Sequence, residues 1–177
     1  MQLIKLSVFD GSKEIRTINF KEGLNIITNL GETGNQIGKS TSLRALAFCL
    51  GGNSEPLWKD PDNDKVNEEV KGFLTKGDVK FELIVKIASI THTITRVLSI
   101  KTGARRESIT AISTIDGVTY KSRAAFTCEL PRLFGYTREH PKFNSIRSKF
   151  FRTNRATSNN TLKYLHTYTC LLYTSPS

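Results

Sequence analysis

Cysteine is scarce in this chain, and the scarcity is informative. Cys49, Cys128 and Cys170 are few, widely spaced and odd in number, which leaves no disulfide framework and fits a reducing compartment. Long apolar runs are lacking too. Nothing approaches the roughly 20 residues of a membrane span, and Lys5 and Asp10 interrupt Leu3 to Phe9 before a secretory apolar region can build. The chain therefore reads as cytoplasmic, with no membrane among its expected partners. Acid is the third shortage: 16 Asp and Glu stand against 26 Lys and Arg, a formal net charge of +10. A polyanionic partner, whether nucleotide, nucleic acid or anionic membrane surface, is what this charge alone predicts.

What is present suffices for one globular domain: 177 residues, 38% of them hydrophobic, with charges of both signs mixed along the chain. Disorder and collagen-like repetition are excluded, and there is no internal repeat or low-complexity tract. The last residues, Cys170 to Ser177 (CLLYTSPS), are what one reading frame of a transposase sequencing adapter encodes. The expectation is that residues 170–177 are an adapter-derived tail and not native. Residues 1–169 are then the N-terminal part of a longer protein, a metagenomic fragment.

Residues 2–9 alternate in polarity, Asp10-Gly11 is a turn signal, and a second β-rich run covers Glu14 to Phe20, which predicts a hairpin. Leu24 to Thr28 reads as a short strand of the kind buried in a central sheet, and the loop Asn29 to Gly38 follows it. From Lys39 the pattern becomes helical, with Leu43, Leu46, Ala47 and Leu50 on one face and Gly51-Gly52 as the stop. Ser54 to Asp64 is a loop, in which Trp58 is most simply a packing residue, and Val66 to Leu74 reads as a short helix ending at Lys76-Gly77-Asp78. Val79 to Ile87 and Thr91 to Leu98 pair as strands, and Ser108 to Ile115 and Val118 to Tyr120 flank the hairpin signal Asp116-Gly117. After Lys121 a helix presents Phe126, Leu130, Leu133 and Phe134, with Pro131 as its weak point.

The strongest chemical signal is Thr33-Gly34-Asn35-Gln36-Ile37-Gly38-Lys39-Ser40-Thr41. A phosphate loop places small residues between a strand and a helix so that backbone N–H groups wrap the phosphates. In that arrangement Gly38 permits close backbone approach, Lys39 reaches the β- and γ-phosphates as a point charge, and Ser40 is the Mg²⁺ ligand. The candidate ATP-binding residues are accordingly Thr33 to Thr41, with Mg²⁺ as the accompanying metal. One position departs from the usual pattern: its first glycine falls on Thr33, with Gly34 one place later.

These residues carry a family resemblance. The run Gly23-Leu24-Asn25-Ile26-Ile27 into the loop, Asn35 three residues before Gly38, Gly38 to Arg44, Phe48-Cys49-Leu50-Gly51-Gly52 and Trp58-Lys59-Asp60 resemble the N-terminal ATPase half-heads of SMC, RecN and RecF-type proteins in the ABC superfamily. The narrower likeness is to a bacterial SMC-like branch of uncharacterised coiled-coil ATPases. The resemblance implies an α/β P-loop NTPase fold in which a β-rich antiparallel lobe packs with a strand-loop-helix nucleotide lobe. It also implies a coiled coil leading to a missing C-terminal half, ATP held between this head and a second one, and a setting in DNA repair, chromosome maintenance or phage defence. The catalytic residues of such a head lie in that C-terminal half, and no residue of this fragment is assigned a catalytic role.

Three other readings compete. Thr75-Lys76-Gly77-Asp78 matches the guanine-reading pattern of P-loop GTPases but comes too early in the chain, and a small-molecule kinase shares the phosphate loop but not the opening hairpin. A non-enzymatic DNA-binding domain rests on charge, chiefly Arg138, Lys142, Arg147, Lys149, Arg152, Arg155 and Lys163 against Glu139, with Phe143, Phe150, Phe151 and Tyr164 available for stacking. Such a run is also what a solvated helix face looks like. His92, His140 and His166 lack metal-ligand spacing. Ala111 to Asp116 reads as a hairpin and not as a Walker B strand, and Leu50-Gly51-Gly52 as a helix stop and not as a signature motif.

Overall fold

A computed structural model describes residues 2–23, 25, 37–60, 64–102 and 107–135. Nearly all of the expected strand Leu24 to Thr28, the loop residues Asn29 to Gln36, the basic stretch Arg138 to Lys163 and the tail 170–177 lie outside the described residues. Two hairpins begin and organise the sheet: β1 (Gln2–Asp10) with β2 (Lys13–Asn19), and β3 (Val79–Ile87) with β4 (Ile90–Thr102). β5 (Glu107–Ile115) and β6 (Val118–Tyr120) complete a six-stranded sheet in the order β2-β1-β3-β4-β5-β6, and every neighbouring pair is antiparallel. Among the described residues the helices are α1 (Ile37–Cys49), α2 (Glu68–Thr75) and α3 (Arg123–Leu133), with a 3₁₀ turn at Glu55–Leu57.

The period-2 alternation of the strands decides which face is buried. Val79, Phe81, Leu83 and Val85 of β3, Ile94 and Leu98 of β4, and Leu6 of β1 form one core with Ala45, Leu46, Phe48 and Cys49 of α1, Leu74 of α2 and Phe126 and Leu130 of α3. The opposite face mixes Phe9, Ile84, Val97 and Ile112 with polar side chains tied by short bonds: Lys5 to Glu14 at 2.8 Å, Lys80 to Glu82 at 3.1 Å and Ser7 to Thr17 at 3.0 Å. The Lys5 hydrogen bond, first among several, holds the Glu14 carboxyl below the usual range. The register pairs Phe81 with Arg96 and Arg96 with Ser113, so an arginine occupies the core face of β4 between Ile94 and Leu98.

Some boundaries differ from the sequence expectation for physical reasons. α1 opens at Ile37, two residues before Lys39, so the glycine and lysine of the loop already have helical backbone. β4 runs on to Thr102 because it pairs with β5 as far as Glu107. Pro131 lies inside α3 without ending it. It forfeits one bond in the last turn, and Phe134 N–H still reaches the Leu130 carbonyl at 3.2 Å.

Candidate functional site

Of the candidate nucleotide-binding residues, Thr33, Gly34, Asn35 and Gln36 lie outside the described residues, while Ile37, Gly38, Lys39, Ser40 and Thr41 form the opening of α1. The N–H groups of a helix's first turn have no carbonyl partner within the helix and make its positive end. α1 has no acidic residue in that turn and instead carries Lys39 there. For an isolated helix this is the unfavourable placement of charge, since carboxylates stabilise the N-terminus and lysines the C-terminus by about 0.3–1 kcal/mol each. A bound anion is what reverses that sign. Thr41 and Ser42, in the next turn, border an apolar cleft of about 320 Å³ shared with Leu6 and Val8 of β1, Ile18 of β2 and Phe73 of α2.

The other end of α1 is closed by two glycines. Gly51, at φ +83°, donates its N–H to the Phe48 carbonyl at 3.0 Å, and Gly52 donates to the Ala47 carbonyl at 2.8 Å. This is the paired pattern of a Schellman stop. A Cβ on Gly52 would meet the Ala47 carbonyl oxygen at 2.6 Å, so only glycine allows this approach. Leu50-Gly51-Gly52 is thus accounted for as a C-terminal stop.

Arg96 is the residue that the sequence did not announce. It is 2% exposed and the largest fully buried side chain among the described residues. Its Nε donates to Ser113 Oγ at 3.0 Å, and its Nη1 donates to the Phe48 carbonyl and, at 2.9 Å, to the Gly52 carbonyl. The guanidinium lies 4.0 Å from the Phe48 ring centroid and 5.2 Å from that of Phe126. The available signal was an arginine on the apolar face of an alternating strand. Burial pushes the neighbouring Cys49 thiol up to about 12, a rise that the Arg96 charge opposes, so Cys49 is an unreactive core residue. Arg44, one turn beyond Ser40 and in the run that carries the resemblance, has its Nη2 3.7 Å from Asp60 Oδ1, and its buried Nε has no hydrogen-bond partner among the described residues.

The rival motifs have local structural roles. Lys76 pairs with Asp10 at 2.6 Å and lies over the Phe73 ring, Gly77 has φ +96°, and the Asp78 carbonyl accepts from Gly11 N–H at 3.0 Å. These residues fasten the turn after α2 to the first hairpin. Asp116, at φ +50°, opens the tight β5–β6 turn, accepting from Thr93 N–H at 2.7 Å and bonding His92 Nδ1 at 2.7 Å. Partial burial works to raise the Asp116 carboxyl, but the bonds from His92 and Thr93 outweigh it and hold the group below its ordinary value. Trp58 is buried in the core. Among the described residues there is no group of three or more His, Cys, Asp or Glu able to hold a metal, and no helix is long and apolar enough to cross a membrane.

No family model matches the chain. The chain is similar to the Lamassu protein LmuB of Bacillus cereus (strain VD014), with 34% identity over 85 residues. That match covers 42% of this chain but 14% of LmuB, so the chain corresponds to a small part of the relative's length.

Proposed function

We propose that this chain is the ATP-binding N-terminal half of an SMC/RecN-like ATPase head, an α/β P-loop fold whose phosphate loop is Thr33 to Thr41. The observation that carries the reading is the place of Gly38-Lys39-Ser40 in the first turn of α1, a helix that offers a lysine and no acid at its positive end. Among the settings that the resemblance implies, the partial similarity to a Lamassu protein supports phage defence.

In this reading the first-turn N–H groups receive the polyphosphate, Gly38 lets the backbone close on it, and the Lys39 ammonium balances its β/γ charge. Ser40 is the residue that would hold Mg²⁺. The metal supplies neutralisation of charge on the phosphate oxygens. Positioning of the attacking water is assigned to the parent's C-terminal half and to a second head, so this chain binds nucleotide and does not turn it over by itself.

The test is a titration of Mg·ATP against the 177-residue chain and its Lys39→Ala variant. Removing charge-assisted bonds worth about 2–3 kcal/mol weakens binding roughly a hundredfold. Equal affinities would overturn the phosphate-loop assignment, whereas brisk Lys39-dependent hydrolysis by this chain alone would overturn the half-head assignment and leave the loop standing.

A further inference from the structure

The apolar face of α1 sets how far the helix lies from the sheet, but apolar contact is poor at fixing where a helix sits along its own axis. Packed helices can shift by small shear displacements between alternative packings of their side chains. Directional bonds at a helix end resist such sliding. At the C-terminal end of α1 those bonds come from Arg96, which reaches the Phe48 and Gly52 carbonyls from the middle of β4. The same guanidinium is held in turn by Ser113 Oγ on the adjacent strand and stands against the rings of Phe48 and Phe126. One buried side chain thereby joins α1, the turn after it, β4, β5 and α3.

Charge explains why the anchor is an arginine. The last carbonyls of α1 carry the negative end of the helix dipole, and α1 has no basic residue of its own in its last turn. Arg96 supplies that positive charge from outside the helix. Lysine would bring charge as a single point, whereas the planar fork serves carbonyls and a hydroxyl in different directions while lying against an aromatic face.

Resting on the phosphate-loop reading of the previous section, we propose that Arg96 is a positioning residue for nucleotide binding: by locking the C-terminal end of α1 to the sheet, it fixes the axial position of the helix whose first turn presents Lys39 and Ser40 to the phosphates. Those residues lie nine and eight positions before Phe48, about 12–14 Å along a rigid helix, so a displacement at one end is delivered to the other. A misplacement of about 1 Å in a site of this kind is worth up to about a hundredfold.

The test uses the 177-residue chain as wild type, Arg96→Met, Arg96→Lys and Ser113→Ala, with two readouts. The first is amide hydrogen exchange without nucleotide. Arg96→Met accelerates exchange in α1 at least tenfold while β3 keeps wild-type protection; a general loss of stability accelerates both. The second is the ratio of Mg·ATP to Mg·ADP affinity, measured well below each variant's unfolding transition. A smaller folded fraction weakens both nucleotides equally, whereas a displaced helix start changes the ratio, at least fivefold for Arg96→Met, with Arg96→Lys and Ser113→Ala in between. Should Arg96→Met fail to fold, those two milder variants decide by the same criteria. Unchanged α1 exchange, an equal acceleration of α1 and β3, or an unchanged ATP/ADP ratio would each overturn the proposal. Should the wild type itself show no Lys39-dependent ATP binding, the nucleotide role falls with the phosphate loop, while localised loosening of α1 still identifies Arg96 as the anchor of that helix.

Discussion

α1 and α2 lie against the same sheet and differ in how their N-terminal ends are finished. α2 completes its own N-terminal end: Asn67 Oδ1 accepts from Val70 N–H at 3.0 Å, Glu68 and Glu69 occupy the positive end, and Lys71 pairs with Glu68 at 3.1 Å, although the last turn of α2 carries no base. α1 has no acid in its first turn and no base in its last. Its C-terminal end is completed by the Gly51-Gly52 stop and by Arg96 from β4, and its N-terminal end carries Lys39 where a self-sufficient helix would place a carboxylate. A helix that caps and charges its own N-terminus needs nothing from outside there. One whose C-terminal end is held by another element is coupled to that element.

Glycine substitutions put this contrast to its largest test. At Gly52 an added Cβ would sit 2.6 Å from a backbone oxygen, so Gly52→Ala forces the α1 stop and the Arg96 carbonyl contact apart. The expected loss is about 2–3 kcal/mol, read as a lower urea midpoint at unchanged m-value. Gly72, inside α2, has nothing within 4 Å of such a Cβ. There the same substitution removes only backbone freedom, so Gly72→Ala raises stability by about 1 kcal/mol. Two changes of one sign would erase the distinction between a helix end locked by its surroundings and a helix limited by propensity alone.

Much of the fold was legible because it is written in local periodicity. Val79, Phe81, Leu83 and Val85 announce β3, Asp116-Gly117 announces the last hairpin, and Gly51-Gly52 announces the end of α1. Other features are set by contacts distant in sequence. β1 pairs with β3 through a ladder between residues far apart in sequence, and the contacts of Arg96 depend on α1 and β5 converging on one residue of β4. The sequence pattern pairs Thr91 to Leu98 as a return strand without singling out Arg96, whose place between Ile94 and Leu98 on the core face and whose acceptors come from the structure. At the candidate site, the sequence offers the Gly38-Lys39-Ser40 motif and the helix that follows it, whereas the bonds from Arg96 to the far end of that helix join residues distant in sequence.

A smaller effect compares the His92–Asp116 link with the neutral bonds around it. Because the Asp116 carboxyl is held below its ordinary value, its contribution to stability is present above the unfolded carboxylate range, near pH 3.9, and is lost as pH falls through the lower folded value. Asp116→Asn keeps an acceptor for Thr93 N–H and tolerates the left-handed backbone at φ +50°, so it isolates the charge. With the side chain 44% exposed, solvent screening keeps the expected loss under about 1 kcal/mol at pH 7. The difference between variant and wild type should shrink as pH falls through the lowered folded value and vanish below it. A pH-independent difference would show that the hydrogen bonds, and not the charge, hold this turn.

The smallest expected effect lies in two hairpin turns that differ by one methyl group. β1 and β2 are joined through Gly11-Ser12, with Gly11 at φ +59°, and β3 and β4 through Ala88-Ser89, with Ala88 at φ +53°. Both first central residues are left-handed, a position that two-residue hairpins commonly give to glycine. An L-residue with a Cβ incurs roughly 1–2 kcal/mol there, part of which is recovered because alanine restricts the unfolded chain more than glycine does. Ala88→Gly should therefore stabilise by roughly 0.5 kcal/mol, as the torsional gain exceeds the entropic loss. Gly11→Ala should destabilise by a similar amount, because a Cβ at Gly11 meets nothing within 4 Å and the change is torsional alone. Matched urea titrations of the two variants check the pair. If Ala88→Gly destabilises, the turn at Ala88 is held by something other than its backbone angles, and the symmetry between the two hairpins fails.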